Sequence, residues 1–72
     1  MAFQVGPKSM VVLAFLRRFQ QREGFSPSHH DIADALGFAS PTLATYHLRR
    51  LEEAGLISRA EGAARAIRLR RQ

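Results

Sequence analysis

A chain of 72 residues, 46% of them hydrophobic, is large enough for one small folded domain and too apolar for a disordered segment. Since it contains no cysteine, disulfide bonds and cysteine-based zinc sites are excluded. The net charge of +5 is concentrated in residues 49–72, whose seven basic and three acidic groups indicate a polyanionic partner such as nucleic acid, or else a solvated tail.

The first predicted helix spans about residues 8–23. Pro7 suits a first helical turn, and Gly24 ends the segment. Between these ends, apolar side chains recur at helical spacing, at Val12, Leu13, Leu16 and Phe19. Val11 and Phe15 lie off this stripe. We expect them to pack under the carboxy-terminal segment or, as the alternative, to form a dimer contact.

Two further helices are predicted over about residues 29–36 and 41–54, joined by a turn that contains a glycine. Ser28 and Asp31 have the spacing of a capping box at the start of the second helix. Ser40 is a good N-cap for the third helix, and Pro41 occupies its favoured first position. The inward stripe of the third helix is Ala44, Leu48 and Leu51. These two helices therefore form a helix-turn-helix.

From Leu56 onward the apolar period changes to two, which predicts two short strands within residues 56–70. In the second strand, Ile67 and Leu69 share one face and Arg68 the other. The predicted fold class is mainly α with a small β-hairpin (α+β), a three-helix winged helix-turn-helix in one domain over residues 1–72. This architecture commonly reads DNA.

The exposed face of the third helix carries short hydrogen-bonding side chains where an ordinary surface helix has glutamate and lysine. An α-helix fits the major groove, where such side chains meet base edges. We therefore predict base contacts from Ser40, Thr42, Leu43, Thr45, Tyr46 and Arg49. Structural alternatives exist: Ser40 only caps the helix, the threonines are indifferent surface residues, Leu43 packs inward, and the Tyr46 ring covers the core.

Contacts to DNA phosphates are predicted from helix starts and from the wing, because exposed amides and basic side chains attract phosphate. The candidates are Lys8, Ser9, Ser28, Arg50, Arg59 and Arg65. As alternatives, Arg49 and Arg50 pair with Glu52 or Glu53 at helical spacing. The remaining arginines near the carboxy terminus either add a diffuse positive field or form a solvated face.

Other function classes receive little support from the sequence. His29, His30 and His47 are the only histidines, and we expect surface or packing roles for them rather than a metal site. We expect no catalytic residue and no cofactor. No apolar run is long enough to cross a membrane and no signal peptide is recognisable, so the expected location is cytoplasmic and nucleoid-associated. A protein-interaction module is the second function class, supported by Val11 and Phe15.

Residues 27–69 read PSHHDIADALGFASPTLATYHLRRLEEAGLISRAEGAARAIRL. The segment combines a Pro-x-x-x-x-Ile-Ala start, Gly-Phe-x-Ser-Pro at the turn, His-Leu-x-x-Leu in the third helix and a Gly-Ala-x-Arg-x-Ile wing. Pro7-Lys8 before the first helix fits the same pattern. Together these motifs strongly resemble the amino-terminal DNA-binding domain of the LexA repressor family, over nearly the whole chain.

The resemblance implies a winged helix-turn-helix that binds double-stranded operator DNA and represses genes of the DNA-damage (SOS) response. Members bind palindromic sites as dimers, and RecA filaments stimulate their cleavage by a carboxy-terminal Ser-Lys peptidase domain. These 72 residues contain no such domain. We therefore expect no enzymatic activity and no strong dimerisation of the isolated chain, and we expect RecA as a partner only of a longer parent with the peptidase. The sequence fits either an excised domain of a longer protein or a stand-alone relative that is regulated in another way.

Overall fold

The structure, a computed structural model, describes residues 5–59 and 67–69. Three helices precede a two-stranded antiparallel hairpin, which confirms the predicted α+β class. The elements are α1 (Pro7–Glu23), α2 (His29–Leu36), α3 (Pro41–Glu53), β1 (Ile57–Arg59) and β2 (Ile67–Leu69). Within the described ranges, no helix is both long and apolar enough to cross a membrane.

Local signals set the helix ends. The Ser28 hydroxyl accepts a hydrogen bond from the Asp31 amide, and the Asp31 carboxylate accepts one from the Ser28 amide, both at 3.1 Å. This is the predicted capping box of α2. Gly24 ends α1 with a φ of 83°, in the left-handed region that side chains with a Cβ rarely adopt.

The start of α3 differs from the prediction in one respect. Ser40 occupies the N-cap position, but its side chain makes no capping hydrogen bond. Its backbone carbonyl instead accepts the Leu43 amide at 3.2 Å. Because that amide is one of the two that an N-cap hydroxyl would normally bind, the Ser40 hydroxyl is not needed there.

The core lies where the three helices and the hairpin meet. Its buried apolar residues are Val12, Leu13, Leu16, Ile32, Ala33, Ala44, Leu48, Leu51, Ile57 and Ile67. Phe19, which was expected in the buried stripe of α1, is only half-buried. Phe15 packs against the core, whereas Val11 is 53% exposed, so the expected burial of this pair is wrong for Val11. Residues 70–72, part of the carboxy-terminal segment that was expected to pack over Val11 and Phe15, lie outside the described residues.

The hairpin is joined to the helices by packing and by one hydrogen bond. Ile57 pairs with Leu69 and Ser58 with Arg68 in the antiparallel register. The Ile67 amide donates to the buried Ser26 hydroxyl at 3.3 Å, which ties β2 to the connector between α1 and α2. A two-stranded hairpin is marginal alone in water, and these contacts supply the support it needs.

Candidate nucleic-acid interface

One face of α3 is open to solvent and carries most of the predicted base-reading residues. Leu43 is 43% exposed and Tyr46 54% exposed, so neither is buried in the core as the alternatives held. Thr42 and Arg49 are also exposed, and Ser40 is half-buried just before the helix begins. The opposite face of α3 is fully buried through Ala44, Leu48 and Leu51. The sequence period therefore assigned the two faces of this helix correctly.

Thr45 is the member of this set whose hydroxyl is already engaged. It is half-buried, with its Oγ1 2.8 Å from His29 Nδ1 and 3.1 Å from the Pro41 carbonyl oxygen. We call the first contact the His29–Thr45 bond. It joins the first residue of α2 to the second turn of α3. The prediction that this hydroxyl is offered to a base is therefore corrected, since it is held within the protein.

Ser9 is a second correction. Its side chain is 2% exposed, and its Oγ lies 2.9 Å from His47 Nδ1. A phosphate contact requires an accessible group, so the assignment of Ser9 as a phosphate ligand is wrong. Its function is to join α1 to α3 through what we call the Ser9–His47 bond.

His47 lies beside this bond in an aromatic setting. Its ring centroid is 5.5 Å from that of Phe38 and 5.1 Å from that of Tyr46, which meets it edge-on. Burial lowers the pKa of His47 below its ordinary value of 6.5, and the positive charges of Lys8 and Arg50 lower it further. The imidazole is therefore neutral at pH 7.

The charge effect on His47 also locates two predicted phosphate ligands. Lys8 at the start of α1 and Arg50 on α3 both act on the same imidazole, so both positive charges lie on one side of the molecule. Lys8 is exposed and Arg50 half-buried. With Arg49, they give the α3 surface a positive border suited to a polyanion.

Of the remaining predicted phosphate ligands, the structure describes the side chain of Ser28 but not those of Arg59 and Arg65. Ser28 is half-buried at the amino end of α2, where its oxygen serves the capping box. The backbone of Arg59 ends β1, but the description does not extend to its side chain. Arg65 lies outside the described residues. The wing contribution therefore stays a prediction.

A groove between α1 and α2 has the opposite electrostatic character. It has a volume of about 560 Å³ and an aromatic floor that includes Phe15, Phe19 and Phe25. The carboxylates that line it, those of Glu23, Asp31 and Asp34, outnumber the single cation, Arg22. Phosphate would be repelled from such a rim, so the groove is not part of a DNA-binding surface.

Sequence reasoning missed the contact between His29 and Thr45. A histidine beside a cap looks like an ordinary surface residue, and its partner Thr45 is 16 positions away. The helix-turn-helix pattern indicates that the two helices pack together, but it does not identify this hydrogen bond.

Comparison with known proteins identifies a family and several relatives by sequence. A family model described as LexA DNA binding domain matches residues 6–66. LexA repressor 1 of Pseudomonas putida is 41% identical over 63 residues, covering 88% of this chain and 31% of that protein. The LexA repressor of Burkholderia cenocepacia is 48% identical over 58 residues, covering 81% of this chain and 27% of that protein. The chain thus spans less than a third of the length of these relatives.

Proposed function

The chain belongs to the LexA DNA-binding domain family, and on that premise we propose that it reads operator DNA for a transcriptional repressor. In this proposal α3 enters the major groove of a specific duplex. The supporting observation is the open face of α3, where Thr42, Leu43 and Tyr46 are exposed beside a positive border. Side chains of this size and polarity suit base edges.

Binding affinity and base choice would come from different residues. Lys8, Arg50 and the wing arginines, Arg59 and Arg65, would neutralise phosphates and set the position of the domain on the duplex. The exposed α3 residues would select the bases. This division predicts that loss of a phosphate ligand weakens binding to every sequence, whereas loss of a base-reading residue changes the preferred sequence.

The regulatory role is part of the same proposal. By family membership, two copies would bind a palindromic operator and repress genes of the DNA-damage response. A nucleoid-associated, cytoplasmic location follows from a DNA partner. RecA filaments would act only on a longer protein that carries the peptidase domain of the family.

Selection of bound sites from a random duplex library tests the proposal most efficiently. An enriched palindromic motif, with affinity that falls steeply as salt is added, is the expected result, because binding releases phosphate counterions. A library with no enriched motif would contradict sequence-specific reading.

A second candidate function, a protein-docking module, is favoured by the exposure of Met10 (45%) and Val11 (53%) on α1. An apolar docking surface would bind its partner with little dependence on salt. Replacing Val11 with Ser discriminates between the two functions, since this change removes the exposed apolar side chain without adding a charge one helical turn from Lys8. Unchanged affinity for duplex DNA supports DNA reading through α3.

A further inference from the structure

We infer that Thr45 meets the DNA with its γ-methyl group and does not donate its hydroxyl to a base, and that His29 is the positioning residue that imposes this choice. The inference rests on the proposed function, namely that α3 lies in the major groove. It states which chemical group Thr45 recognises on the DNA, namely the 5-methyl group of thymine.

The first step is to account for the single hydrogen of the Thr45 hydroxyl. If His29 carries its proton on Nδ1, the imidazole donates to Oγ1 over 2.8 Å, and the hydroxyl donates to the Pro41 carbonyl over 3.1 Å. If Nδ1 is unprotonated, the hydroxyl donates to it instead. In both tautomers the only hydroxyl hydrogen is used inside the protein.

The second step concerns what remains available to a base. With its hydrogen engaged, Thr45 cannot donate to the guanine O6 and N7 or to the thymine O4 in the major groove, and its oxygen can only accept, from an adenine N6 or cytosine N4 amino group. Its γ-methyl takes part in neither hydrogen bond and is apolar. The group in the major groove that gains from an apolar neighbour is the thymine methyl. Thr45 should therefore favour an A·T pair and disfavour guanine at its position.

The third step is the contribution of His29. The imidazole is half-buried at the first position of α2, and its bond to Oγ1 joins two helices. Without it, the bond to the Pro41 carbonyl would be the one internal bond holding the Thr45 hydroxyl, and exchange of that single bond would let the hydroxyl rotate toward a base. His29 thus acts on sequence preference through Thr45.

Two variants separate the methyl from the hydroxyl, and the first of them is isosteric with threonine. Thr45→Val keeps the methyl and removes the hydroxyl, and Thr45→Ser does the reverse. Thr42→Val and Thr42→Ser are matched controls, because Thr42 is an exposed threonine on the same helix. Circular dichroism at the assay temperature establishes that each variant is folded.

The measurement is the dissociation constant for the selected duplex, at one salt concentration, with each thymine replaced in turn by uracil, which lacks only the methyl group. For the parent chain, one replacement per half-site should weaken binding by roughly fourfold, the effect of one buried methyl group. Thr45→Val should keep this sensitivity and Thr45→Ser should lose it. The Thr42 variants should respond to the replacement at this site as the parent does.

His29→Ala tests the positioning role through base preference, which a purely structural role of His29 would leave unchanged. It should relax the discrimination against guanine at the base pair that Thr45 reads, while preferences at the other pairs stay unchanged. A uniform loss of affinity across all sequences would overturn the positioning role of His29.

The outcomes separate this inference from the proposed function. A library selection that enriches no motif overturns both. An enriched motif in which no thymine methyl depends on Thr45, or in which Thr45→Val alters base preference as strongly as Thr45→Ala, overturns the methyl contact and leaves DNA reading standing.

Discussion

Two hydrogen bonds of the same chemistry connect α3 to the other two helices, yet they lie in different environments. The Ser9–His47 bond joins α3 to α1 over 2.9 Å, and the His29–Thr45 bond joins α3 to α2 over 2.8 Å. Each pairs an imidazole Nδ1 with a hydroxyl. In the first the hydroxyl is buried, and in the second it is half-buried on the border of the proposed reading face.

The difference in burial gives the two bonds different consequences. A buried polar group that loses its partner keeps its desolvation cost, so the Ser9–His47 bond bears mainly on stability. A half-buried group recovers part of its hydration from water. The His29–Thr45 bond therefore contributes less to stability and instead determines which atoms of Thr45 a ligand can meet.

The largest expected effect is on folding stability when the buried bond is broken. His47→Ala leaves the buried Ser9 hydroxyl without this partner, and because a buried polar group keeps its desolvation cost, the change should lower the free energy of unfolding by about 1–3 kcal/mol. Urea denaturation measures this directly. The preferred duplex sequence should be unchanged, and a shift in base preference would contradict a purely structural role for this bond.

The corresponding change at the other bond should have a smaller effect on stability. His29→Ala should lower the free energy of unfolding by about 0.5–1.5 kcal/mol, the ordinary net value of one hydrogen bond. The same urea measurement applies. Equal destabilisation by His47→Ala and His29→Ala would mean that the two bonds do not differ in the way proposed.

Protonation distinguishes the two sites further. Because the pKa of His47 is lowered in the folded protein, through burial and through the charges of Lys8 and Arg50, its contribution to stability is fully present above the ordinary value of 6.5. As the pH falls below 6.5, the unfolded chain takes up the proton first. Stability should therefore decline until the pH passes the lowered pKa of the folded state.

Thermal unfolding followed between about pH 7.5 and pH 5.5 checks this expectation. His47→Gln should reduce the decline. A decline that is the same in this variant and the parent would show that another group is responsible.

The smallest expected effect is that of replacing Arg65, which in the proposed function is one of several phosphate ligands. Arg65→Ala should weaken binding to specific and nonspecific duplexes alike and make the dependence of log Kd on log salt shallower by about one unit. Fluorescence anisotropy with two unrelated duplexes measures both quantities. Selective loss on one sequence would place Arg65 on a base instead.

Local features of the fold were predictable because their causes lie within a few residues. The capping box needs only Ser28 and Asp31, three positions apart, and the end of α1 needs only Gly24. The amphipathic period likewise identified Leu48 as buried and Tyr46 as exposed. These signals depend on the spacing of residue types along a helix, which can be read directly from the sequence.

The side-chain bonds were not predictable, because they join distant positions. Ser9 and His47 are 38 residues apart, and nothing in their local patterns indicates a contact. Periodicity placed Thr45 toward the outer face of α3, but it does not show which hydrogen-bonding groups are already used. Ser40 shows that a local signal can also fail. Its residue type favours a side-chain cap, but its backbone carbonyl accepts the hydrogen bond from the Leu43 amide and its hydroxyl makes no capping bond.

Chemical-shift mapping of the backbone amides during titration with the selected duplex tests the central claim most directly. DNA reading through α3 predicts saturable shifts concentrated at Thr42, Leu43 and Tyr46, with the acidic groove around Phe19 and Phe25 little affected. Shifts concentrated in that groove, or no saturable shift at low salt, would contradict it.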